Sequence, residues 1–219
     1  MRLAPTASCA RCLSKQALTL QIRLLVSLPD HRASSTFRTR LRLFEHAPPN
    51  RHGTVLPMTR LGIVSDTHAH VAFTRQAVIA FSEQEVDEVI HCGDIGSAEI
   101  PPLFAHWPAH FVFGNVDHRT HLLEAAIAET PHHTCHGRYG QIKRDGRKIA
   151  MLHSDDQRRF DEVIHGCQFD LVCYGHTHCA KQERVGDTLV LNPGAVYRAD
   201  PHTVAIVDLP QLTVTWIEL

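Results

Sequence analysis

No run in this 219-residue chain is long and apolar enough to cross a bilayer; residues 13–29, LSKQALTLQIRLLVSLP, come nearest and are interrupted by Lys15, Gln16, Gln21 and Arg23. No membrane partner is expected. A second CxxC is also missing, so Cys9 and Cys12 lack the companions of a zinc ribbon. The other cysteines (Cys92, Cys135, Cys167, Cys173, Cys179) are scattered, several inside apolar runs such as LVCYG, where a reduced, buried thiol is the simplest reading. That usage suits a reducing cytoplasm. There is no low-complexity tract and no internal repeat, and the composition is neither disordered nor fibrous. Acid is nearly absent from 1–57, which carries nine Lys/Arg against Asp30 and Glu45, a net +7, while the remainder carries −8. An acidic main body lacks the clustered cations that neutralise a phosphate backbone, so a long nucleic acid is not an expected partner.

What is present is 43% apolar residues, enough for one sizeable core, and 18 histidines. No site uses more than about four or five imidazoles, so position must decide which of them matter. Residues 1–57 read as a basic N-terminal extension, disordered or outside the native domain, ending in the linker-like APPNRHG; a targeting peptide or a functional arm are the alternatives. The main domain is expected at 58–219. There, strand-like runs alternate with helical patterns: LGIVSD (61–66), a helix over 71–84, DEVIHCGD (87–94), a short helix near 97–106, HFVFGN (110–115), a helix near 119–129, RKIAMLHS (147–154), a helix near 156–166 and FDLVCYGHTH (169–178). The last third shortens to TLVLNPG, TVAIVDL and LTVTWIEL. Alternation predicts a parallel sheet, and the closing strands an antiparallel extension or a second sheet.

Ligands of such sheets bind beyond the carboxyl ends of the strands. At those ends stand Asp66 and His68, Asp94, Asn115, His153, and His176 with His178. If these segments run on extended, residues two apart point the same way, so Asp66/His68 and His176/His178 each present two donors. The glycines of CGD, FGN and YGH directly precede a donor, where a missing side chain permits a tight turn. Each motif alone has a plainer reading: SDTH as a helix N-cap, GD and GN as turns. Their joint order carries the inference. Two carboxylates, one amide oxygen and four imidazoles are too many donors for one ion and about right for two sharing a carboxylate. Mixed O/N donors suit Mn²⁺ first, with Ni²⁺, Fe, Co²⁺, Mg²⁺ or Zn²⁺ as alternatives. Two such ions roughly 3.5–4 Å apart clamp the attacking and leaving oxygens of a phosphoryl displacement. The other histidines read as bland: His91 packed within a strand, His70 in a loop, and His132, His133 and His136 a local cluster with no acidic companion in sequence.

Together SDTH, GDIGS, GNVD, LHSDD, GHTH and NPG resemble the calcineurin-like metallophosphoesterase superfamily, in particular its small bacterial and archaeal phosphodiesterase branch, the YfcE type. The resemblance covers 58–219. It implies an α/β fold of two mixed β-sheets packed face to face and flanked by helices, the αββα sandwich of those enzymes. It assigns Asp66, His68 and His178 to one metal, Asn115, His153 and His176 to the other, and Asp94 as the bridge, with Asn192 shaping the site. The implied reaction is hydrolysis of a small-molecule or nucleotide phosphodiester by in-line attack of a hydroxide held between the ions.

Two departures stand out. Larger relatives place a histidine directly after the asparagine as general acid, and here that position is Val116, so Asp117 or His118 would have to help. Activated aryl diesters are then expected to react much faster than alkyl ones. HSDD also stands where many relatives read HGH, so Ser154 and Asp155 replace a glycine and a histidine. The alternatives are a non-catalytic metal-binding scaffold of the same fold, as in a retromer subunit, and a phosphomonoesterase or nuclease; self-association into a homo-oligomer is left open.

Overall fold

The computed structural model describes residues 58–219, and the reading of 1–57 lies outside the described residues. Among the described residues eleven strands form two sheets. Among the described residues the elements run β1 (Arg60–Val64), α1 (Val71–Glu83), β2 (Glu88–His91), a 3-10 turn (Pro101–Phe104), β3 (Ala109–Phe111), α2 (Thr120–Ala128), β4 (His133–Cys135), β5 (Tyr139–Arg144), β6 (Arg147–Leu152), α3 (Gln157–His165), β7 (Leu171–Cys173), β8 (Ala180–Val185), β9 (Thr188–Pro193), β10 (Thr203–Asp208) and β11 (Thr213–Glu218). The first sheet has the order β11-β10-β1-β2-β3-β4 and the second β5-β6-β7-β9-β8. In the first, β1 to β4 are parallel and β10 and β11 add an antiparallel flank; in the second, β6, β7 and β9 are parallel between antiparallel β5 and β8. Both sheets are mixed.

Strand alternation sorts the side chains into three apolar layers. Leu61 and Ile63 of β1, Ile90 of β2, Ile149 and Met151 of β6, Leu171 of β7, Leu189 and Leu191 of β9 and Val207 of β10 fill the space between the sheets. Their neighbours point outward: Val64, Val89, Phe111 and Ile206 pack under Phe81 of α1 and Leu123 and Ile127 of α2. On the far side Ala150, Leu152, Val172 and Val190 meet Phe160 and Ile164 of α3. Because strands such as β9 are buried on both faces, they read as continuous apolar runs. The layer order is helix, sheet, sheet, helix, as the family resemblance implies.

Two expectations need correction. The helix near 97–106 shrinks to the turn Pro101–Phe104, since Pro101 and Pro102 withhold two backbone donors. The alternating runs also do not share one parallel sheet: RKIAMLHS and FDLVCYGHTH supply β6 and β7 of the second sheet, joined there by TLVLNPG as β9, whereas TVAIVDL and LTVTWIEL form the expected antiparallel extension of the first as β10 and β11.

Candidate metal centre

All the donor-bearing segments lie just beyond the carboxyl ends of parallel strands. Asp66 and His68 follow β1, Asp94 follows β2 and Asn115 follows β3, while His153 follows β6 and His176 and His178 follow β7. The first sheet therefore contributes four candidates and the second three. The structure brings Asp66, His68 and His178 into one group and Asp66, Asp94 and His153 into another, the ligand atoms in each lying within 4.8 Å of one another. Asp94 faces both: its Oδ2 is 3.8 Å from His68 Nε2 and its Oδ1 is 3.2 Å from His153 Nε2. His176 lies beside the second group, its ring 5.2 Å from that of His153 and its backbone N–H donating to Asp66 Oδ2. Asn115 is exposed, and its neighbour Val116 donates its backbone N–H to Asp94 Oδ1 at 3.0 Å.

The expectation of extended Asp66/His68 and His176/His178 segments is overturned. Asp66, His68, Asp94, His176 and His178 all have positive φ, at 56°, 44°, 53°, 76° and 58°. Non-glycine residues rarely adopt that region, and here five candidates do so at once. The chain therefore turns at each donor, and Gly114 shows what the turns require, because a Cβ there would collide with the Asp94 carboxylate.

Hydrogen bonds compensate the strain. Buried His91 accepts from Gly93 N–H at Nδ1 and meets Thr67 Oγ1 at 3.0 Å, and Thr67 donates on to Ile95 O, so the loops after β1 and β2 are tied. Burial pushes this imidazole down to about 3, and it is neutral. Asn192 donates to Gly175 O and Thr177 Oγ1 and accepts from Gly194 N–H, fixing the loop that carries His176 and His178. Asp117 accepts three backbone N–H groups, from Ile95, Gly96 and Gly114, at 2.8–3.1 Å. His118 is exposed beside it. Arg138, which the sequence did not single out, bonds Gly114 O and pairs with Asp155, linking the loops of Asn115 and His153. Nothing local to the sequence could have revealed it, since the contact depends on how the two sheets meet.

His153 Nδ1 lies 2.8 Å from Cys92 O and His178 Nδ1 3.1 Å from Arg198 O, so both rings donate outward and turn Nε2 toward the carboxylates. Burial opposes ionisation of Asp66 and Asp94, yet the neighbouring imidazoles, His178 for Asp66 and His153 for Asp94, outweigh it and hold both carboxyls below the usual aspartate value. Asp66 Oδ1, 3.1 Å from His178 Nε2, and His153 Nε2, 3.2 Å from Asp94 Oδ1, are nonetheless buried without a well-formed hydrogen bond. Acceptors crowded together and poorly paired are costly unless a cation sits among them. The donor set, carboxylate oxygens and imidazole nitrogens without thiolate, fits divalent transition ions.

Two other histidine readings find their outcome here. His70 caps α1, accepting from Phe73 N–H, and stacks on Tyr197 at 4.2 Å. The cluster after α2 is not isolated: His133 is buried, and His136 bonds His110, which in turn pairs with Glu88 at 2.5 Å.

Comparison with known proteins accords with this geometry. The phosphodiesterase MJ0936 of Methanocaldococcus jannaschii is 31% identical over 153 residues, 68% of this chain and 92% of its own length. An archaeal phosphodiesterase of solved structure superposes with a TM-score of 0.68 at 30% identity, over 74% of this chain and all of its own. The Escherichia coli phosphoesterase YfcE shares the fold with a TM-score of 0.52 at 17% identity, over 73% of this chain and 99% of its own. The calcineurin-like phosphoesterase superfamily domain matches residues 59–211. From that span of the domain and the similarity to MJ0936, the chain belongs to the calcineurin-like phosphoesterase superfamily.

Proposed function

We propose that the chain is a divalent-metal-dependent phosphodiesterase acting on a small-molecule or short nucleotide ester. The observation that carries this reading is the convergence of Asp66, His68, Asp94, His153 and His178, with Asp66 Oδ1 and His153 Nε2 buried without a well-formed hydrogen bond. Asp66, His68 and His178 would hold one ion, Asn115, His153 and His176 the other, and Asp94 would touch both. When bound, the pair would supply Lewis acidity toward a phosphoryl oxygen and acidify a water. The chain's own residues do the rest. The carbonyls of Cys92 and Arg198 fix the ring orientation of His153 and His178. His118, exposed on the loop after Asn115, would be the candidate to deliver a proton to the leaving oxygen. Asp117 spends both oxygens on backbone donors and holds the loops in register.

The test is hydrolysis of an aryl diester, an aryl monoester, a cyclic dinucleotide and single-stranded DNA with Mn²⁺, Mg²⁺, Ni²⁺ or Zn²⁺ added. The diester is expected to turn over fastest and only with metal, and Asp94→Asn to lower the rate roughly 100-fold or more. A folded protein with no metal-stimulated turnover on any of the four would leave the non-catalytic scaffold as the better account.

A further inference from the structure

The loops that follow Asp94 and Asn115 enclose, with α2, a cleft of about 310 Å³, at the lower end of the roughly 300–1,000 Å³ typical of small-molecule sites. Its walls belong to the same loops as the candidate ligands. On one side Val116 gives its backbone N–H to Asp94 Oδ1. On the other, Gly96 packs so tightly against the His68–Ala69 backbone that a Cβ would come within 2.6 Å of Ala69 N. Apolar side chains of α2, Leu122 and Leu123, complete the lining with Ala98. Leu122 is 44% exposed, one of three large hydrophobics left in solvent among the described residues, and it is the one that lines this cleft. His118 and Arg119 stand at the rim.

An open apolar surface built on the loops that carry a polar, charge-gathering centre has the form of a ligand site: the centre would take the anion and the cleft what is attached to it. Arg119 adds a cation to the lining, suited to an anionic phosphoryl group. We propose that this cleft is the substrate subsite for an aromatic or otherwise planar apolar substituent on the phosphorus ester, with Val116, Leu122 and Leu123 as its contact surface. This rests on the phosphodiesterase reading and narrows its substrate class to esters carrying an aryl or nucleobase-like group. Val116 then has a role of its own: a flat apolar wall stands where a polar side chain would make the cleft wet.

Binding distinguishes the subsite from the chemistry. The Mn²⁺-loaded full chain is titrated calorimetrically with phenylphosphonate and with methylphosphonate, two anions that share the phosphonate and differ only in the substituent. Phenylphosphonate is expected to bind about tenfold more tightly. In Leu122→Asp, and in Ala98→Trp, which fills the cleft from an exposed loop, that preference falls below about twofold, while thermal melts verify folding. Equal affinity of the two anions for the unmodified chain, or a preference surviving both substitutions, overturns the subsite and leaves the phosphodiesterase reading standing. A folded, metal-loaded chain that binds neither anion overturns both.

Discussion

At the scale of single residues, the site depends as much on acceptors for backbone amides as on donors to metal. Asp117 is the clearest case, because Ile95, Gly96 and Gly114 all direct N–H groups at its carboxylate. Asp117→Asn turns one acceptor oxygen into a donor facing a donor. It is expected to cost about 1–3 kcal/mol of stability and to weaken metal affinity, measured by denaturant unfolding and by metal titration. A residue acting chiefly as proton donor would give the opposite pattern, with unchanged stability and an altered pH–rate profile. The candidate donors themselves were legible in SDTH, GD, GN, HS and GHTH, since each motif pairs a turn residue with a ligand-type side chain. Arg138, Tyr197 and Arg198 were not, because what makes them relevant is a neighbour on another loop rather than a local pattern.

At the scale of elements, the sequence reveals strands that bury a face and hides those that do not. β8 (AKQERV) is exposed over almost its whole length and β5 (YGQIKR) over alternate residues, so neither offers an apolar run to recognise. They are held by ladder pairing with β9 and β6. The meeting of β2 and β3 of the first sheet with β5 of the second is held instead by charge: Glu88 receives Arg144 Nε at 2.7 Å and Nη2 at 2.8 Å, and pairs with His110, which meets His136. Burial opposes ionisation of Glu88, but the bonds from His110 and Arg144 hold its pKa below the ordinary glutamate value. A carboxyl depressed on folding adds stability that is complete above its unfolded pKa and fades as the pH drops through the folded one. Glu88→Gln should therefore destabilise the protein at neutral pH, and the gap from the parent should narrow in acid. Unfolding free energies measured between pH 7 and pH 3 decide it, and a gap that stays constant with pH would assign the loss to packing alone.

At the scale of the whole molecule, the two sheets divide the donors between them, with Asp66, His68, Asp94 and Asn115 beyond strands of the first and His153, His176 and His178 beyond strands of the second. Metal that binds only the folded arrangement must raise its stability by mass action. At a free Mn²⁺ concentration about 100 times the dissociation constant, the melting temperature is expected to rise by roughly 5–10 °C, and EDTA should return it to the starting value. Scanning calorimetry with and without chelator measures the shift, and its absence would mean that no ion is held in the folded state. Because neither layer owns a complete set of ligands, an ion seated there would act as a rivet between them. Loss of metal affinity would then be an early sign that the halves of the sandwich are parting, appearing in variants remote from the pocket before helix or strand content declines.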